Sequence, residues 1–361
     1  MAWTRGPGTP ASRGPTVACS SRTPCSCAGE DPVKILVDAL PADFGGIRTY
    51  AQHLLAAWPA TAPDDEVHVL LADDSHLPVP DGVVAHRVPL GHRRSLSRAV
   101  AQSRHLPRLV RELRPDAVLA TLPSTTVRRL GAPLVVVVHD LRHDLRPDQF
   151  GRVRRVLRRV SYARGYALAD AHLAISRRTL DDLHTVHPRT RSTPSAVVHH
   201  GADHVAGTPG AGARTGPVVT FAHQTNKNAD LVRAGWRVLG PDAPELVVLG
   251  DPYVPDEEYA AWLGRAAVVV MASDFEGFGL PVLEGMRLGV PVVVGPDPAM
   301  LEVAGGHAFA MTGWTPDEVA RATREALAAD GAVVAAAIDH AASFTWARTV
   351  SGTRELVRSV L

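Results

Sequence analysis

The segment from residue 268 to residue 294 constrains the fold of this chain most strongly. A β-branched apolar run, Val268–Val270, ends in a turn that reads Ser-Asp-Phe-Glu-Gly-Phe-Gly. Pro281 then opens a helix, and Gly289 closes it before a second apolar run, Val290–Val294. Proline in the first helical turn and glycine just past the last one are the expected asymmetry of helix ends. The segment therefore predicts a strand–helix–strand unit of a parallel α/β sheet.

The turn of this unit is suited to a phosphate ligand. Near the helix N-terminus it clusters the backbone amides of Gly277, Phe278, Gly279 and Leu280. Unpaired amides and the helix dipole favour an anion there, such as a diphosphate. Glu276 before the turn and Glu284 inside the helix can accept hydrogen bonds from sugar hydroxyls. Two solvated glutamates on an ordinary crossover are the alternative, but the carboxyl end of a parallel strand is where such sheets place ligands.

This segment resembles the donor-binding signature of the GT-B glycosyltransferases, in particular glycosyltransferase family 4. That family carries two glutamates separated by seven residues, with Gly-Phe-Gly-Leu-Pro between them, as Glu276 and Glu284 are here. The resemblance covers about residues 33–361. It implies an α/β fold of the GT-B type, with two Rossmann-like domains facing each other across a cleft. It also implies that Glu276 holds the sugar hydroxyls at the reaction centre and that Glu284 holds the ribose.

The order of elements along the chain fits two such domains, because apolar strands alternate with amphipathic helices in both halves. Residues 1–30, rich in Gly, Pro, Ser, Thr and Arg, are expected to be a disordered extension. The predicted organisation then has an acceptor-binding domain at 31–200, a Gly/Ala/Pro/Thr-rich linker at 201–216, a donor-binding domain at 217–342, and a helix at 343–361 that crosses back to the first domain.

Two helices of the first half carry specific expectations. Residues 98–113 are expected to form a helix broken near Pro107, because proline interrupts the backbone hydrogen bonds. A longer helix is predicted over 148–168, where apolar residues recur at helical spacing: Phe150, Val153, Val156, Leu157, Val160 and Ala163. Five arginines lie opposite this stripe. The favoured interpretation is a packed helix with a solvated arginine face. The alternative is that the arginines attach the protein to the inner face of an anionic membrane.

Lysine is rare in this chain, with only Lys34 and Lys227 among 38 basic residues. The stretch around Lys227 resembles the family signature whose basic residues neutralise the departing diphosphate. This resemblance implies a catalytic role for Lys227 and donor binding by Asn228. Asn226 stands where a second basic residue is common, and either His223 or an arginine from elsewhere could compensate.

Gly45 and Gly46 follow the first strand and permit close approach of the backbone to a ligand. In the family that the chain resembles, the equivalent pair reaches the donor diphosphate from the first domain.

His139 ends a buried strand, and two roles are open for it. It could contact the sugar at the reaction centre, as in resembling enzymes, or cap its own loop. His139 and His143 also have i,i+4 spacing, but the segment leaves a strand and no third ligand is evident, so no metal site is predicted. No metal site is predicted either at the three histidines further along the chain, His199, His200 and His204.

Composition excludes several other classes. A net charge of +1 gives no support for binding nucleic acid. Neither half has the Gly-x-Gly-x-x-Gly fingerprint after its first strand, and there is no P-loop motif, so no nucleotide cofactor is predicted. The three cysteines all lie within the first thirty residues, which favours a cytoplasmic compartment. No apolar run approaches the roughly 20 residues of a membrane span.

The resemblance implies a retaining, metal-independent glycosyltransferase. It would move a hexosyl group, with mannose as a guess, from a nucleotide diphosphate sugar to a hydroxyl acceptor such as a sugar or lipid-linked sugar, in glycan or polysaccharide biosynthesis. The chain departs from the family at Leu249–Glu258, where a segment that shapes the nucleobase pocket is shortened. Two alternatives stay open: a sugar-nucleotide epimerase on the same fold, and a non-catalytic partner protein.

Overall fold

The computed structural model describes residues 31–42, 45–91, 94–205, 215–250 and 254–361. The described residues form two sheets of parallel strands, each covered by helices. The predicted α/β fold with two Rossmann-like domains is therefore confirmed. The predicted extension at 1–30, most of the predicted linker (206–214) and the centre of the shortened segment (251–253) lie outside the described residues.

The first sheet has the strand order β3-β2-β1-β4-β5-β6-β7. Its strands are β1 (Lys34–Asp38), β2 (Glu66–Ala72), β3 (Val83–Val88), β4 (Ala117–Ala120), β5 (Leu134–Val138), β6 (Ala171–Ala174) and β7 (Ser195–Val197). Its helices are α1 (Gly45–Thr61), α2 (Arg94–Leu113), α3 (Arg142–Leu145), α4 (Arg152–Leu168) and α5 (Arg177–Val186). The order reverses between β1 and β4, and a crevice opens at the carboxyl ends of the strands at such a point.

The second sheet has the order β12-β11-β10-β8-β9. Its strands are β8 (Val218–Phe221), β9 (Leu246–Leu249), β10 (Val268–Met271), β11 (Val292–Val294) and β12 (Phe309–Ala310). The helices that follow are α6 (Ala229–Leu239), α7 (Asp256–Arg265), α8 (Leu280–Arg287), α9 (Pro298–Ala304), α10 (Pro316–Leu327), α11 (Gly331–Ala342) and α12 (Trp346–Arg358). Pro281 lies in the first turn of α8, and Gly289 follows its end with a φ of 73°, as the sequence predicts.

The structure corrects several predicted elements. No strand or helix was predicted at the positions of β3, β12, α3, α9 or α11. The predicted break near Pro107 is wrong, because α2 runs through this residue to Leu113. Leu106, Leu109 and Val110 of that turn are buried in the first domain. Their packing holds the helix together across the hydrogen bond that proline cannot make.

The prediction for residues 148–168 is also wrong in two respects. A short 3₁₀ turn occupies Pro147–Gln149, and α4 begins only at Arg152. The buried face of α4 carries Tyr162, Gly165 and Tyr166. Of the predicted apolar stripe, Phe150 and Ala163 are half-buried, and the other four residues are exposed to solvent: Val153, Val156, Leu157 and Val160. Two large aromatic rings bury more apolar surface than valines do, and this sets which face packs against the sheet. Helix α4 is therefore packed and has exposed arginines, as the favoured interpretation has it, but it packs through its tyrosines and not through the predicted stripe.

Helix α12 returns from the second sheet and packs on α1 of the first. Arg354 donates from Nε to Asp65 Oδ2 (2.7 Å) and from Nη2 to Asp65 Oδ1 (2.9 Å), and both side chains are buried. Asp65 also accepts hydrogen bonds from the indole Nε1 of Trp58 (2.8 Å) and from the amide of Val33 (2.9 Å). One buried carboxylate thus ties together α1, the start of β1 and the terminal helix.

No single helix in the described part of the chain is long and apolar enough to span a membrane; only the bent pair Pro316–Leu327 and Gly331–Arg358, which turns by 100°, reaches the required length and hydropathy.

Buried histidines give the fold a predictable response to acid. Burial lowers the pKa of His139 and of His172 to about 4, and the same cause lowers the pKa of His53 and His223 to about 4. In an unfolded chain the imidazole pKa is about 6.5. Between these values the unfolded state binds more protons than the folded state. The free energy of unfolding should therefore decrease as the pH falls from about 6.5 to about 4.

Asp38 opposes this trend, because burial raises its pKa from 3.8 to about 6 and its contribution to stability is lost as the pH rises through that range. Burial also raises the pKa of Asp182, Asp274 and Asp297, but it lowers the pKa of five further histidines: His86, His105, His143, His187 and His200. Because the histidines outnumber these carboxyl groups, the urea midpoint should be lower near pH 5 than near pH 7. His172→Asn should reduce the dependence on pH, since His172 is fully buried in β6. A midpoint that is constant or rises toward acid would contradict this prediction.

Candidate functional site

Lys227 and Glu276 meet at the point where the strand order of the second sheet reverses. Lys227 follows β8 and Glu276 follows β10, and these strands are neighbours that lead to opposite sides of the sheet. The carboxyl ends of such strands form a ligand crevice. Lys227 Nζ lies 2.8 Å from Glu276 Oε1, and both side chains are largely buried, with exposed fractions of 8% and 14%. The structure therefore brings together two of the residues predicted at the reaction centre.

Asn226 connects this pair to the first domain. Its side-chain amide donates to the carbonyl oxygen of Phe275 (2.8 Å) and to Glu276 Oε1 (3.3 Å). Its carbonyl oxygen accepts a hydrogen bond from Arg142 Nη1, which belongs to α3. Arg146 follows α3 and donates through Nη2 to the carbonyl oxygen of Asp274 at 3.5 Å. Two guanidinium groups of the first domain therefore approach the place where the sequence lacks a second basic residue.

His223 does not supply that charge. Burial, with a smaller effect from the neighbouring Lys227, lowers the pKa of His223 to about 4, so its imidazole is neutral at pH 7. The sequence left either His223 or an arginine to replace the second basic residue that is missing at Asn226. The structure favours an arginine. Arg142 could not be identified beforehand, because it lies 84 residues away from Asn226.

The turn between β10 and α8 has the geometry predicted for an anion site. Gly279 is the residue that caps α8, with a φ of 94°, and no side chain caps the helix. Pro281 has no N–H, and the amide of Val282 donates to the carbonyl oxygen of Gly279 (2.9 Å), so the amide of Leu280 is the one in this turn that can serve a ligand. Phe278 is buried and directs its ring away toward His200, whose ring centroid is 4.8 Å distant. Only the backbone of Phe278 therefore suits the predicted diphosphate contact.

Gly277 lies where the two domains touch. A methyl group on Gly277 would overlap the backbone carbonyl oxygen of His139 in the first domain. The carbonyl oxygen of Gly277 accepts hydrogen bonds from Ser176 Oγ (2.7 Å) and Thr179 Oγ1 (3.2 Å) at the start of α5. The absence of a side chain at this position permits the close approach of the two domains.

Glu284 is held by two side chains that the sequence analysis did not single out for this role. Its Oε2 accepts a hydrogen bond from Tyr259 Oη at 2.5 Å, and its Oε1 lies 3.2 Å from His204 Nε2. The indole Nε1 of Trp346 donates to His204 Nδ1 at 3.1 Å. Since Nδ1 accepts this bond, Nε2 of a neutral His204 carries the proton and donates it to Glu284. Glu284 is thereby fixed on the buried side of α8.

Asp297 and Arg178 position the backbone of the signature glutamate, Glu276. Asp297 caps α9 by accepting from the amides of Ala299 (3.0 Å) and Met300 (3.2 Å). Its other oxygen accepts from the amide of Glu276 (3.3 Å) and from Arg178 Nη1 (2.9 Å). Burial raises the pKa of Asp297, and the Arg178 charge opposes this rise.

Phe275 is enclosed by arginines of the first domain. The guanidinium groups of Arg178 and Arg146 lie 4.4 Å and 5.5 Å from its ring centroid. These contacts and those of Asp297 fix the backbone on the N-terminal side of the turn, which makes Arg178 and Asp297 positioning residues.

The remaining predicted residues lie in varied surroundings. His139 is buried, and its Nε2 lies 3.0 Å from the carbonyl oxygen of Thr121 after the adjacent strand β4, so it does not cap its own loop. Asn228 adopts a left-handed conformation (φ 53°) and donates to the carbonyl oxygen of Ala272 at 2.9 Å. Gly45 and Gly46 form the exposed first turn of α1, beyond the carboxyl end of β1.

In the ranges that the structure describes, no group of three or more His, Cys, Asp or Glu side chains is arranged to hold an ion. His199 instead pairs with Glu302 at 2.8 Å, and His143 lies 3.1 Å from Asp144.

Comparison with known proteins agrees with this geometry. The family model "Glycosyltransferase Family 4" matches residues 44–206, and "Glycosyl transferases group 1" matches residues 218–329. The serotype-specific mannosyltransferase WbdA of Escherichia coli is 36% identical over 75 residues, which is 21% of this chain and 9% of WbdA. A D-inositol 3-phosphate glycosyltransferase of Streptomyces griseus is 38% identical over 122 residues, or 32% of this chain and 25% of that protein. The chain thus aligns with only a small part of these relatives.

Among solved structures, Anabaena Alr3699/HepE in complex with UDP and glucose superposes with a TM-score of 0.64 at 18% identity, covering 91% of this chain and 100% of that one. At this identity the likeness shows the fold. The two family matches lie on the two Rossmann-like domains in turn, and the second contains the Glu276–Glu284 signature. The chain therefore belongs to the GT-B glycosyltransferases of the family 4 type.

Proposed function

We propose that this protein transfers a hexosyl group from a nucleotide diphosphate sugar to a hydroxyl acceptor, with retention of configuration at the anomeric carbon. One observation carries the proposal: Lys227, Glu276 and the uncapped N-terminus of α8 converge where the second sheet reverses its strand order. A cation and backbone amides would then face the diphosphate while a carboxylate faces the sugar.

The chemical roles follow from these positions. The bond between the anomeric carbon and the diphosphate oxygen breaks, and negative charge builds on the departing nucleotide. Lys227 and the amides of Phe278, Gly279 and Leu280 would stabilise this charge, and such preorganised donors commonly provide the largest catalytic contribution. Lys227 has three N–H donors, so it can contact a phosphate while it keeps its bond to Glu276.

The first domain contributes to the same centre. Gly46 would add a backbone amide, and Arg142 would supply the charge that Asn226 cannot. Glu276 would accept hydrogen bonds from the hexose hydroxyls. Glu284, held by Tyr259 and His204, would accept bonds from the ribose hydroxyls. We propose no protein nucleophile and no metal, since amides and cations can balance the diphosphate charge.

Mannose is the sugar that the proposal favours. Three of the curated relatives are described as WbdA mannosyltransferases, and another as an O-antigen chain mannosyltransferase. A hexose in a cell-surface polysaccharide or glycoconjugate is the corresponding product class. Because a similar structure holds UDP and glucose, UDP is one of the nucleotides to be tested.

Calorimetric titration of the protein with UDP, GDP, ADP and dTDP tests the donor site. We expect micromolar binding of one nucleotide, weakened about tenfold or more by Glu284→Gln, because a hydrogen bond to a charged acceptor contributes about 1.5–3 kcal/mol. Glu325→Gln is the matched control, since Glu325 pairs with Arg321 on the exposed face of α10. It should leave nucleotide affinity unchanged.

The nucleotide that binds then defines the donor for turnover assays. Consumption of donor only when a hydroxyl acceptor is present supports transfer, whereas its conversion to an epimer without acceptor would favour the epimerase. Absence of binding by all four nucleotides would favour the non-catalytic partner. The approach of Arg142 and Arg146 to the site argues against that last alternative.

A further inference from the structure

Helix α4 presents an apolar ridge to solvent. We define this ridge as Val153, Val156, Leu157 and Val160, whose exposed fractions lie between 55% and 74%. Their spacing of three and four residues places them on one face, opposite the buried Tyr162. Single exposed apolar residues are ordinary on protein surfaces, but a continuous row of them marks a contact surface.

Arginines border the ridge, and no acidic residue of α4 accompanies them. The helix contains six arginines and neither Asp nor Glu. At 100° per residue, Arg152 and Arg159 lie along one side of the ridge and Arg154 lies beyond the other side. All three are exposed. The long arginine side chains can therefore keep their charges level with or beyond the apolar surface.

The surface continues onto a neighbouring loop. The carbonyl oxygen of Val127 accepts hydrogen bonds from Arg164 Nε (3.2 Å) and Nη2 (3.0 Å), which holds the loop beside the end of α4. Val127 is 52% exposed, and the exposed Arg128 and Arg129 follow it. An apolar residue next to arginines thus occurs in a second segment of the same face.

We propose that α4 is an interfacial helix that binds the surface of a bilayer containing anionic phospholipids. The ridge would enter the boundary between headgroups and acyl chains, and the bordering arginines would contact lipid phosphates. Charge complementarity selects this occupant over a second copy of the chain. A two-fold contact would place the same arginine-bordered patch on both sides and oppose like charges.

The attachment would place the bilayer close to the candidate active site. Arg159 of α4 pairs with Asp144 of α3 at 2.8 Å, and the rings of His143 and Tyr162 pack with centroids 4.8 Å apart. α3 also carries Arg142, which contacts Asn226 in the second domain. A series of direct contacts therefore runs from the proposed membrane surface to the donor site, which suits an acceptor presented on a lipid.

Co-sedimentation with vesicles tests the proposal and requires no catalytic turnover. We expect binding to vesicles of phosphatidylcholine and phosphatidylglycerol in equal parts, weakened by added salt, and little binding to pure phosphatidylcholine. Leu157→Glu or Val156→Glu should weaken binding about tenfold or more, because each removes an inserted apolar side chain. Arg152→Gln combined with Arg154→Gln should weaken it by about fivefold per arginine.

Two controls match these changes on the second domain. Val333→Glu alters a valine of α11 that is 43% exposed, and Arg233→Gln with Arg237→Gln removes two exposed arginines of α6. Neither should change vesicle binding. The proposal is overturned if the wild-type protein ignores anionic vesicles or if the α4 variants bind as tightly as the controls. It is also overturned if sedimentation without lipid shows a dimer that Leu157→Glu dissociates.

Discussion

Lys227→Met is expected to lower kcat/KM for hexosyl transfer by about 100- to 1,000-fold. Methionine keeps the length and apolar stem of the side chain but removes its charge and its three donors. In the free protein the change deprives Glu276 of its partner at 2.8 Å and leaves only the weaker bond from Asn226 at 3.3 Å. In the reaction it removes the cation nearest the predicted position of the departing diphosphate. Initial rates with the donor identified by calorimetry measure the effect.

Lys34→Met provides a natural control because it alters the only other lysine of the chain. Lys34 also pairs with a glutamate at 2.8 Å, but the pair is exposed, and surface pairs of this kind contribute little. Its kcat/KM should stay within about twofold of the wild type. Retention of more than about a tenth of the activity by a folded Lys227→Met protein would remove Lys227 from the catalytic centre.

Gly277→Ala is expected to reduce kcat/KM by about 100-fold through displacement of the domains rather than loss of a chemical group. The backbone amide predicted to face the diphosphate is unchanged. The new methyl group, however, would overlap the carbonyl oxygen of His139, and backbone on both sides leaves no flexible side chain to move away. The hydrogen bonds from Ser176 and Thr179 to Gly277 would lengthen or break. Small-angle scattering should report a larger radius of gyration, together with the kinetic loss.

Gly264→Ala supplies the comparison, since a methyl group at this position of α7 meets no atom within 4 Å. Alanine also favours a helix over glycine by about 0.5–1 kcal/mol, so the melting temperature should stay the same or rise slightly. Unchanged scattering and full activity in Gly277→Ala would show that the contact with His139 is dispensable.

The fold was predictable from sequence because the information was local. Valine-rich runs, helix-opening prolines and helix-closing glycines identified most strands and helices, and both sheets are parallel as their alternation requires. The prediction failed where tertiary packing decides the outcome. Buried Leu106, Leu109 and Val110 keep α2 continuous through Pro107. In α4, two tyrosine rings occupy the core-facing side that the regular valine spacing had suggested for the stripe.

The same distinction between local motifs and distant contacts applies to the candidate site. The signature glutamates, the glycine turn and Lys227 could be identified because each lies in a short, ordered motif. Arg142, Arg178 and Tyr259 could not, since each reaches the site from a distant segment or carries no motif of its own. His204 was noticed for its place in a histidine-rich stretch, but its bond to Glu284 depends on Trp346, which lies 142 residues further along the chain.

The buried junction at Asp65 also bears on how the protein matures during translation. Arg354, which completes this junction, leaves the ribosome only after every strand of both sheets has been synthesised. Until then, the face of α1 that packs on α12 is uncovered in a nascent first domain that is otherwise ready to fold. Vectorial synthesis therefore cannot complete the packing of the first domain before the second domain has been made, and this face of α1 stays exposed to water during that interval.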